Sequence, residues 1–427
     1  MPEGVDPIPD HVLLEPKWLL EPLHKSGSWS QTSKTLTTVT NTIAGAVVSA
    51  ESPLTPPSDL LDVPGGLTAK VLVNERVTPA THWQDVRHLV MSTPSLHPYT
   101  PGDVLTIYPK NFPVDVNEFL KIMQWESVAD DPLKFISTSS SSTTPLPNLP
   151  TDSDITLRKL LTNHLDIMSI PRRSFFAQLA HFTDDDFQRD RLLEFTNPEY
   201  IDELYDYTTR PRRSILEVLQ EFETVKIPWQ RICSIIPAMR GRQFSIASAL
   251  SPSSLQDHET RIELLIAIVK YRTVIKRIRQ GVCTRYIATL KPGQEIRVTL
   301  NKGGLGVTKD ETKKPIVMVG PGTGVAPMRA LIYQRKYCRQ ELQDQSNEPT
   351  ETPGSRKKDI LFFGCRNAEA DFFFKSDWDN LVAEGVPLDV FPAFSRDQVC
   401  ISSATVTTIS YLAIILEAEG ICSRPCP

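Results

Sequence analysis

Residues 315–329, PIVMVGPGTGVAPMR, decide the fold of this chain. Residues 316–319 are a short apolar run of the kind that a buried parallel strand shows. Three glycines, Gly320, Gly322 and Gly324, then lead into a helical pattern. Glycines let the backbone approach an anion, and the first amide groups of a helix point toward it. The stretch predicts a phosphate cradle, with an ordinary tight turn of an α/β domain as the simpler alternative.

Two further strands are predicted downstream, at 360–364 and 388–391, and polar residues follow each of them. Ligands of open parallel sheets bind outside the carboxyl ends of the strands. Residues 365–367 end the first strand, and Ser395 and Arg396 follow the second. A serine and an arginine at this position suit the 2′-phosphate that distinguishes NADP from NAD, an ordinary polar loop being the alternative.

Upstream of residue 315 the pattern changes to short strands. Residues 67–77 alternate at period two, as a half-buried strand does. Further strands are predicted at 86–91, 104–108, 243–247, 261–269, 285–289 and 295–300. Several short strands separated by turn signals favour an antiparallel barrel or sandwich.

Two small motifs lie among these strands. RQFS, residues 242–245, offers an arginine that can bind a phosphate and an aromatic ring that can stack on a flat heterocycle. GVCT, residues 281–284, offers amide and hydroxyl donors to a pyrophosphate. Each motif alone is weak, because a strand with an exposed arginine is common. Their order, followed by the glycine loop, favours a nucleotide-binding protein.

Residues 114–235 show helical periodicity, interrupted by a serine- and threonine-rich insert at 137–150. Ser214 or its neighbour is placed to cap the last of the predicted helices. Arg212 and Arg213, just before it, either begin a solvated helix or face an anion. The helices are predicted at 116–125, 157–164, 172–181, 184–195, 198–207 and 215–222.

The composition narrows the class of protein. Residues 1–66 carry nine prolines and a serine- and threonine-rich run, which predicts a linker or docking segment. A net charge of −5 without a long basic run disfavours nucleic acid as a partner. No apolar run is long enough to span a bilayer, and no signal layout opens the chain. Seven scattered cysteines indicate reduced cytosolic thiols rather than a metal site.

In combination and order, the motifs RQFSIAS, GVCT, VGPGTGVAPMRA, LFFGCRN and AFSRDQ resemble the reductase half of NADPH-dependent diflavin oxidoreductases. The similarity covers residues 67–398 and is strongest to the cytosolic members that serve iron–sulfur cluster assembly, with cytochrome P450 reductase more distant. It implies a multi-domain β + α + α/β, ferredoxin-reductase-like fold. The implied parts are an FAD-binding β-barrel at 67–113 and 236–311, a helical connecting insertion at 114–235, and a doubly wound NADP-binding domain at 314–398.

The resemblance also implies which residues bind the cofactors. Ser245, the implied catalytic residue, would lie near flavin N5, where the hydride arrives, and Phe244 would stack on the isoalloxazine ring. No metal and no side-chain nucleophile is required. The other implied FAD ligands are Arg212, Arg242, Gln243, Gly281, Val282, Cys283 and Thr284. The implied NADP ligands are Gly322, Thr323, Gly324, Ser395 and Arg396.

Two departures from the family pattern are expected. Members begin with a flavodoxin-like FMN domain, and this chain opens on what resembles the linker that follows that domain. After Gln398 the family continues with a Lys-x-Tyr-x-Gln stretch and further strands, whereas residues 399–427 form a divergent tail. The NADP-binding domain is therefore expected to be truncated.

The implied function is a cytoplasmic oxidoreductase that uses FAD, NADPH and, in the full family architecture, FMN. Hydride would pass from NADPH to FAD, and electrons through an FMN module, normally in cis, to an anamorsin-type iron–sulfur protein. Two alternatives stay open. One is a chain that binds FAD but is catalytically incompetent, and the other is a P450-reductase-like or ferredoxin–NADP reductase with another acceptor. The helical insertion disfavours a single-flavin reductase.

Overall fold

The computed structural model describes residues 13, 15–23, 54–138, 146, 149, 155–251, 259–303, 305, 314–345 and 357–397. Within these ranges the chain forms two compact units, and each is described on its own. The first comprises Met1–Pro64, Tyr108–Gly241 and Lys270–Thr289, and the second Gly65–Ile107, Arg242–Val269 and Leu290–Pro427. The predicted tail at 399–427 and most of the insert at 137–150 lie outside the described residues. The domain boundaries inferred from sequence stay predictions.

The first unit is mainly helical. Its core contains Phe119, Phe176 and Leu219, all without exposed surface. The described α-helices are α1 (Pro113–Met123), α2 (Leu157–Asn163), α3 (Arg173–Leu179), α4 (Asp186–Glu194), α5 (Ile201–Leu204), α6 (Ile215–Glu221), α7 (Ile232–Ile235) and α8 (Val282–Thr289). The helix predicted at 198–207 is broken into a 3₁₀ turn, α5 and a π-helical turn, Tyr205–Thr209. None of the helices in the described ranges has the length and apolar content needed to cross a membrane.

Local signals determine where several of these helices begin. Thr156 and Asp185 accept hydrogen bonds from backbone amides three residues further on and so cap α2 and α4. Ser214 caps α6, as predicted. Its hydroxyl accepts from the Glu217 amide, and the Glu217 carboxylate accepts from the Ser214 amide.

A two-stranded sheet in this unit corrects one prediction. β1 (Trp18–Pro22) pairs antiparallel with β5 (Leu133–Ser137). Leu20, 1% exposed, lies in the helical core. Residues 1–66 are therefore not purely a linker, because the apolar residues at 18–20 bury enough surface to order the backbone around them.

A short hairpin leads into α8. β8 (Lys270–Arg272) pairs antiparallel with β9 (Ile278–Gln280), and α8 begins after Gly281. The strand predicted at 285–289 is wrong, since these residues form the second half of α8. Buried side chains at helical spacing, Cys283, Tyr286 and Ile287, show that packing of one helical face overrides the β-favouring residues.

The second unit contains an antiparallel sheet that closes on itself. Its described strands are β2 (Leu67–Arg76), β3 (Val86–Thr93), β4 (Val104–Ile107), β6 (Arg242–Ser245), β7 (Thr260–Ala267) and β10 (Glu295–Asn301). They pair in the order β6-β4-β10-β2-β3-β7. An isolated bridge between Ile246 and Leu264 joins the two outer strands. The predicted barrel is therefore confirmed.

A parallel α/β layer follows in the same unit. β11 (Val317–Pro321), β12 (Asp359–Cys365) and β13 (Leu388–Phe394) pair in that order, with α9 (Ala326–Gln345) and α10 (Lys375–Ala383) between them in the chain. Its core includes Met318, Leu361, Phe363 and Trp378. The three predicted strands and the helix predicted after the glycine loop are present, with the strand boundaries shifted by a few residues.

The first of these strands, β11, is less buried than predicted. Met318 is 3% exposed, but Val317 and Val319 are 47% and 60% exposed. Within the described ranges β11 pairs with β12 and has no strand on its other side. The strand predicted from the apolar run is therefore confirmed. The prediction that both faces of this strand are buried is wrong.

Candidate functional site

The turn before α6 carries the arginine pair of the first unit. The guanidinium of Arg213 lies 4.0 Å from the centre of the Tyr207 ring and forms an ion pair with Glu221. Arg212 has an exposed side chain and a φ of 54°, in the left-handed region that favours glycine. The turn thus anchors Arg213 internally and leaves Arg212 at the surface, where an anion can reach it.

One carboxylate, that of Glu217, holds this turn beside the segment that carries the second motif. Glu217 accepts hydrogen bonds from Arg277 and Arg279, each at 2.7 Å. Arg279 also donates to the Pro211 carbonyl at 3.0 Å. Burial alone would raise the pKa of Glu217, but its hydrogen-bond donors lower it below the usual value. The carboxylate stays ionised at neutral pH and joins the two motifs.

The second motif, Gly281 to Thr284, lies at the start of α8. The Gly281 carbonyl accepts the first helical hydrogen bond, from the Arg285 amide at 2.8 Å. Val282 and Cys283 therefore belong to the first helical turn. A helix start presents amide groups and a partial positive charge that suit a phosphate. The start of α8 therefore offers donors that suit a pyrophosphate, and its binding role stays a prediction.

The RQFS motif forms β6 of the barrel and pairs with β4 along its whole length. Because side chains alternate along a strand, Arg242 and Phe244 share one face and Gln243 and Ser245 the other. Phe244 is half-buried, and the other three are exposed. An arginine and an aromatic ring on one face suit a flat, phosphorylated ligand, and the stacking and hydride-transfer roles stay predictions.

The glycine loop between β11 and α9 requires glycine at two positions. Gly322 has a φ of 54°. A Cβ on Gly320 would lie 2.8 Å from the Cα of Val325. Gly324 meets only ordinary contacts, the nearest at 3.5 Å. Thr323 is half-buried in the 3₁₀ turn that leads into α9, so the loop brings backbone amides close to the start of a helix.

The carboxyl ends of the three parallel strands lie side by side. The Ser395 amide donates to the Cys365 carbonyl, and the Arg396 amide to the Arg366 carbonyl, both at 2.9 Å. The side chains of Ser395 and Arg396 are exposed. The glycine loop and the two polar strand ends therefore lie at one edge of the sheet, and the role of Ser395 and Arg396 in binding the 2′-phosphate stays a prediction.

Two carboxylates that the sequence analysis did not single out shape this edge. Asp371 accepts hydrogen bonds from the Arg366 and Asn367 amides. Asp397 accepts from the Asn367 side chain and the Ala368 amide, each at 2.6 Å. The sequence did contain a signal for these two residues, since each aspartate lies within a few residues of a strand end. Aspartate commonly accepts hydrogen bonds from the amides of nearby turns.

An aromatic contact was also missed. The guanidinium of Arg366 lies 4.1 Å from the centre of the ring of Trp83, which is 57% exposed. Trp83 lies between β2 and β3, in the barrel. Sequence spacing offers no signal for a contact between residues so far apart in the chain.

The residues present fit the cofactors that the resemblance implies. In the first unit, an exposed arginine, Arg212, and the helix start after Gly281 are donors suited to phosphates. In the second unit, Gly320 lets the backbone of Val325 pack against it in the loop before α9, and Arg396 is an exposed cation at the sheet edge. These donor sets suit FAD and NADPH.

An antiparallel barrel combined with a parallel α/β layer and these donor sets defines the class of ferredoxin-reductase-like flavoproteins. Comparison with models of protein families agrees. The FAD binding domain matches residues 65–286, and the oxidoreductase NAD-binding domain matches residues 318–405. The predicted fold class and the FAD and NADP cofactor classes are therefore confirmed.

Curated relatives narrow the class to a family. NADPH-dependent diflavin oxidoreductase 1 of Emericella nidulans is 46% identical over 406 residues, which cover 93% of this chain and 61% of that protein. Proteins of the same name from Aspergillus fumigatus and Gibberella zeae are each 44% identical, with the same two coverages. This chain belongs to the NADPH-dependent diflavin oxidoreductase family, and it spans about 61% of the length of these relatives.

Proposed function

We propose that this chain passes a hydride from NADPH to FAD, and that electrons then leave through FMN to an anamorsin-type iron–sulfur protein in cytosolic iron–sulfur cluster assembly. The bound cofactors supply the redox chemistry, since the hydride carries two electrons to the flavin, leaves NADP⁺, and is matched by one proton from solvent. The name of the relatives, with its two flavins, supports the FMN step.

The proposal rests on the observation that both binding motifs lie in the second unit. One compact unit holds β6, with the motif that suits a flavin, and the sheet edge, with the glycine loop and Arg396. Hydride transfer requires the reacting atoms to approach within about 3–3.5 Å. The presence of both motifs in one compact unit supports such a close approach of the two bound cofactors.

In this proposal the chain binds and orients rather than reacts. Arg396 pairs with the 2′-phosphate, and the Ser395 hydroxyl donates a hydrogen bond to it. Phe244 stacks on the isoalloxazine ring, and Ser245 orients the ring near N5. Arg212 and the start of α8 hold the FAD phosphates.

An anaerobic titration of the purified, FAD-loaded chain tests the hydride step. Near-stoichiometric NADPH is expected to bleach the visible flavin absorbance, and NADH to do so much less. Dithionite is the control because it reduces flavin without a nicotinamide site. Bleaching by dithionite but not by NADPH would contradict the proposed hydride transfer.

The acceptor requires a separate measurement. With NADPH present, the chain is expected to reduce an anamorsin-type iron–sulfur protein only after the FMN domain of a relative is added. Reduction without the FMN domain would favour the ferredoxin–NADP reductase alternative. No reduction with the FMN domain present would contradict the proposed acceptor.

One observation favours a second candidate, a chain that binds FAD without being reduced by NADPH. Val317 and Val319 are exposed on β11, the strand that leads into the glycine loop. Among the described residues β11 also has no strand on its outer side. An exposed apolar strand at the edge of a sheet is a site of instability or association, which would loosen that loop. The dithionite control of the titration identifies this case.

A further inference from the structure

Arg329 is a buried arginine in the first turn of α9, shortly after the glycine loop. It is 9% exposed. A charge this deeply buried is costly unless several acceptors surround it. Its partners therefore indicate what the side chain holds together.

The guanidinium of Arg329 binds partners from both layers of the second unit. Nη1 donates to the Ala247 carbonyl at 2.9 Å and lies 3.1 Å from the Glu263 carboxylate. Nε donates to Asp377 at 2.7 Å. Ala247 lies two residues after Ser245, and Glu263 is on β7, whereas Asp377 is on α10. One side chain of α9, the helix after the glycine loop, thus binds the chain just beyond β6, strand β7 and helix α10.

The surroundings of the guanidinium hold it in this position. The rings of Phe374 and Tyr333 have their centres 4.5 and 4.8 Å from its central carbon. His88 Nε2 lies 3.0 Å from a Glu263 carboxylate oxygen. Burial would raise the pKa of Glu263, but His88 and Arg329 lower it to about 2, so this partner is a carboxylate at neutral pH. Charge and packing together fix one orientation of Arg329.

A second buried arginine on α9 provides the contrast. Arg335 is 1% exposed and binds Asp359 of β12 through two hydrogen bonds of 2.9 Å. It also donates to the Lys314 carbonyl at 2.5 Å. These partners belong to the α/β layer itself. Arg335 stabilises that layer, whereas Arg329 also binds the barrel.

We propose that Arg329 is a positioning residue for hydride transfer, which sets the approach of a nicotinamide bound at the glycine loop to a flavin bound at β6 without touching either cofactor. This role rests on the proposed function. Misplacing reacting groups by about 1 Å costs about a hundredfold in rate. A side chain that lies just after the glycine loop and binds the chain just beyond β6 therefore controls the rate of the step more than the affinity for either cofactor.

Arg329→Lys and Arg335→Lys in the full chain form a matched pair. Each variant keeps the positive charge but loses the planar guanidinium group, which can donate hydrogen bonds to several acceptors at once. Both are expected to lower the unfolding temperature. In stopped-flow reduction at saturating NADPH, Arg329→Lys is expected to lower the limiting rate of flavin bleaching about ten- to a hundredfold. Its NADPH dissociation constant should hardly change, and Arg335→Lys should bleach at nearly the wild-type rate.

Further measurements distinguish an effect of the substitution on cofactor positioning from an effect on folding. FAD content and dithionite reduction of Arg329→Lys should match those of the wild type. Asp377→Asn removes one anchor of the guanidinium and should lower the same limiting rate by less. It also provides the test if Arg329→Lys does not fold.

The outcomes are distinct. Equal limiting rates for the two lysine variants, or a change in NADPH affinity alone, would overturn the positioning role and leave the proposed function intact. A wild-type chain that NADPH does not reduce would overturn both.

Discussion

The two candidate phosphate sites use carboxylates in different ways. In the first unit, Glu217 accepts from the amide of Ser214, the N-cap of α6, and binds two arginine side chains, Arg277 and Arg279. In the second unit, Asp371 and Asp397 bind mainly backbone amides at the strand ends. The first site is therefore held together by ion pairs between side chains, and the second by hydrogen bonds from backbone amides to carboxylates.

Each site includes an exposed arginine beside these carboxylates, Arg212 in the first unit and Arg396 in the second. In each case the nearby carboxylates are already engaged by other donors. The comparison teaches that an arginine is kept available for a ligand when its acidic neighbours are occupied, whether by cations or by amides.

Removing the central charge of the first site should have the largest effect. Glu217→Gln leaves Arg279, whose side chain is 14% exposed, without its ion pair. Loss of one partner of a buried pair costs about 3 kcal/mol. The urea midpoint and the FAD content should both fall. Glu221→Gln, whose carboxylate is half-exposed, is the control and should cost about 1 kcal/mol or less. Equal losses would contradict a central role for Glu217.

Acid should weaken the same site. The folded pKa of Glu217 lies below its ordinary value of 4.5, so the unfolded chain takes up the proton first as the pH falls. The stabilisation from Glu217 is complete at neutral pH and is lost as the pH falls below about 4.5. The difference in unfolding free energy between wild type and Glu217→Gln should therefore shrink on acidification. A difference that stays constant would show that folding does not lower the pKa of Glu217.

The second site should respond instead to an added methyl group. Gly320→Ala places a Cβ 2.8 Å from the main chain of Val325, and such overpacking costs about 1–3 kcal/mol. Reduction by NADPH should slow while reduction by dithionite does not. Gly324→Ala, with no contact closer than 3.5 Å, is the matched control. Similar behaviour of the two variants would mean that close approach at Gly320 is not required.

The smallest effect is expected from the exposed arginine. Arg396→Ala should raise KM for NADPH about tenfold, since a hydrogen bond to a charged group contributes about 1.5–3 kcal/mol. KM for NADH should hardly change. Lys358→Ala, which removes a cation paired with Asp389 near the amino ends of the same strands, should leave both constants unchanged. Equal increases with both coenzymes would place the 2′-phosphate elsewhere.

Local signals in the sequence were sufficient for much of the fold. Ser214 marked the start of α6, and the glycine loop marked the strand and helix beside it. Prediction was wrong at 285–289, where β-favouring residues form a helix because one face of it is buried. It also missed β1, whose partner strand lies far along the chain. Local secondary-structure propensity contributes little free energy, so tertiary packing overrides it.

The sequence alone determined the order of the motifs, the class of fold and the glycines that a phosphate cradle needs, because these depend on neighbouring residues and backbone conformation. Only the tertiary structure decided that Glu217 joins two motifs of the first unit and that Arg329 joins two layers of the second. Such contacts form between residues that are distant in the chain. Their geometry follows from packing and charge burial, which no local pattern encodes.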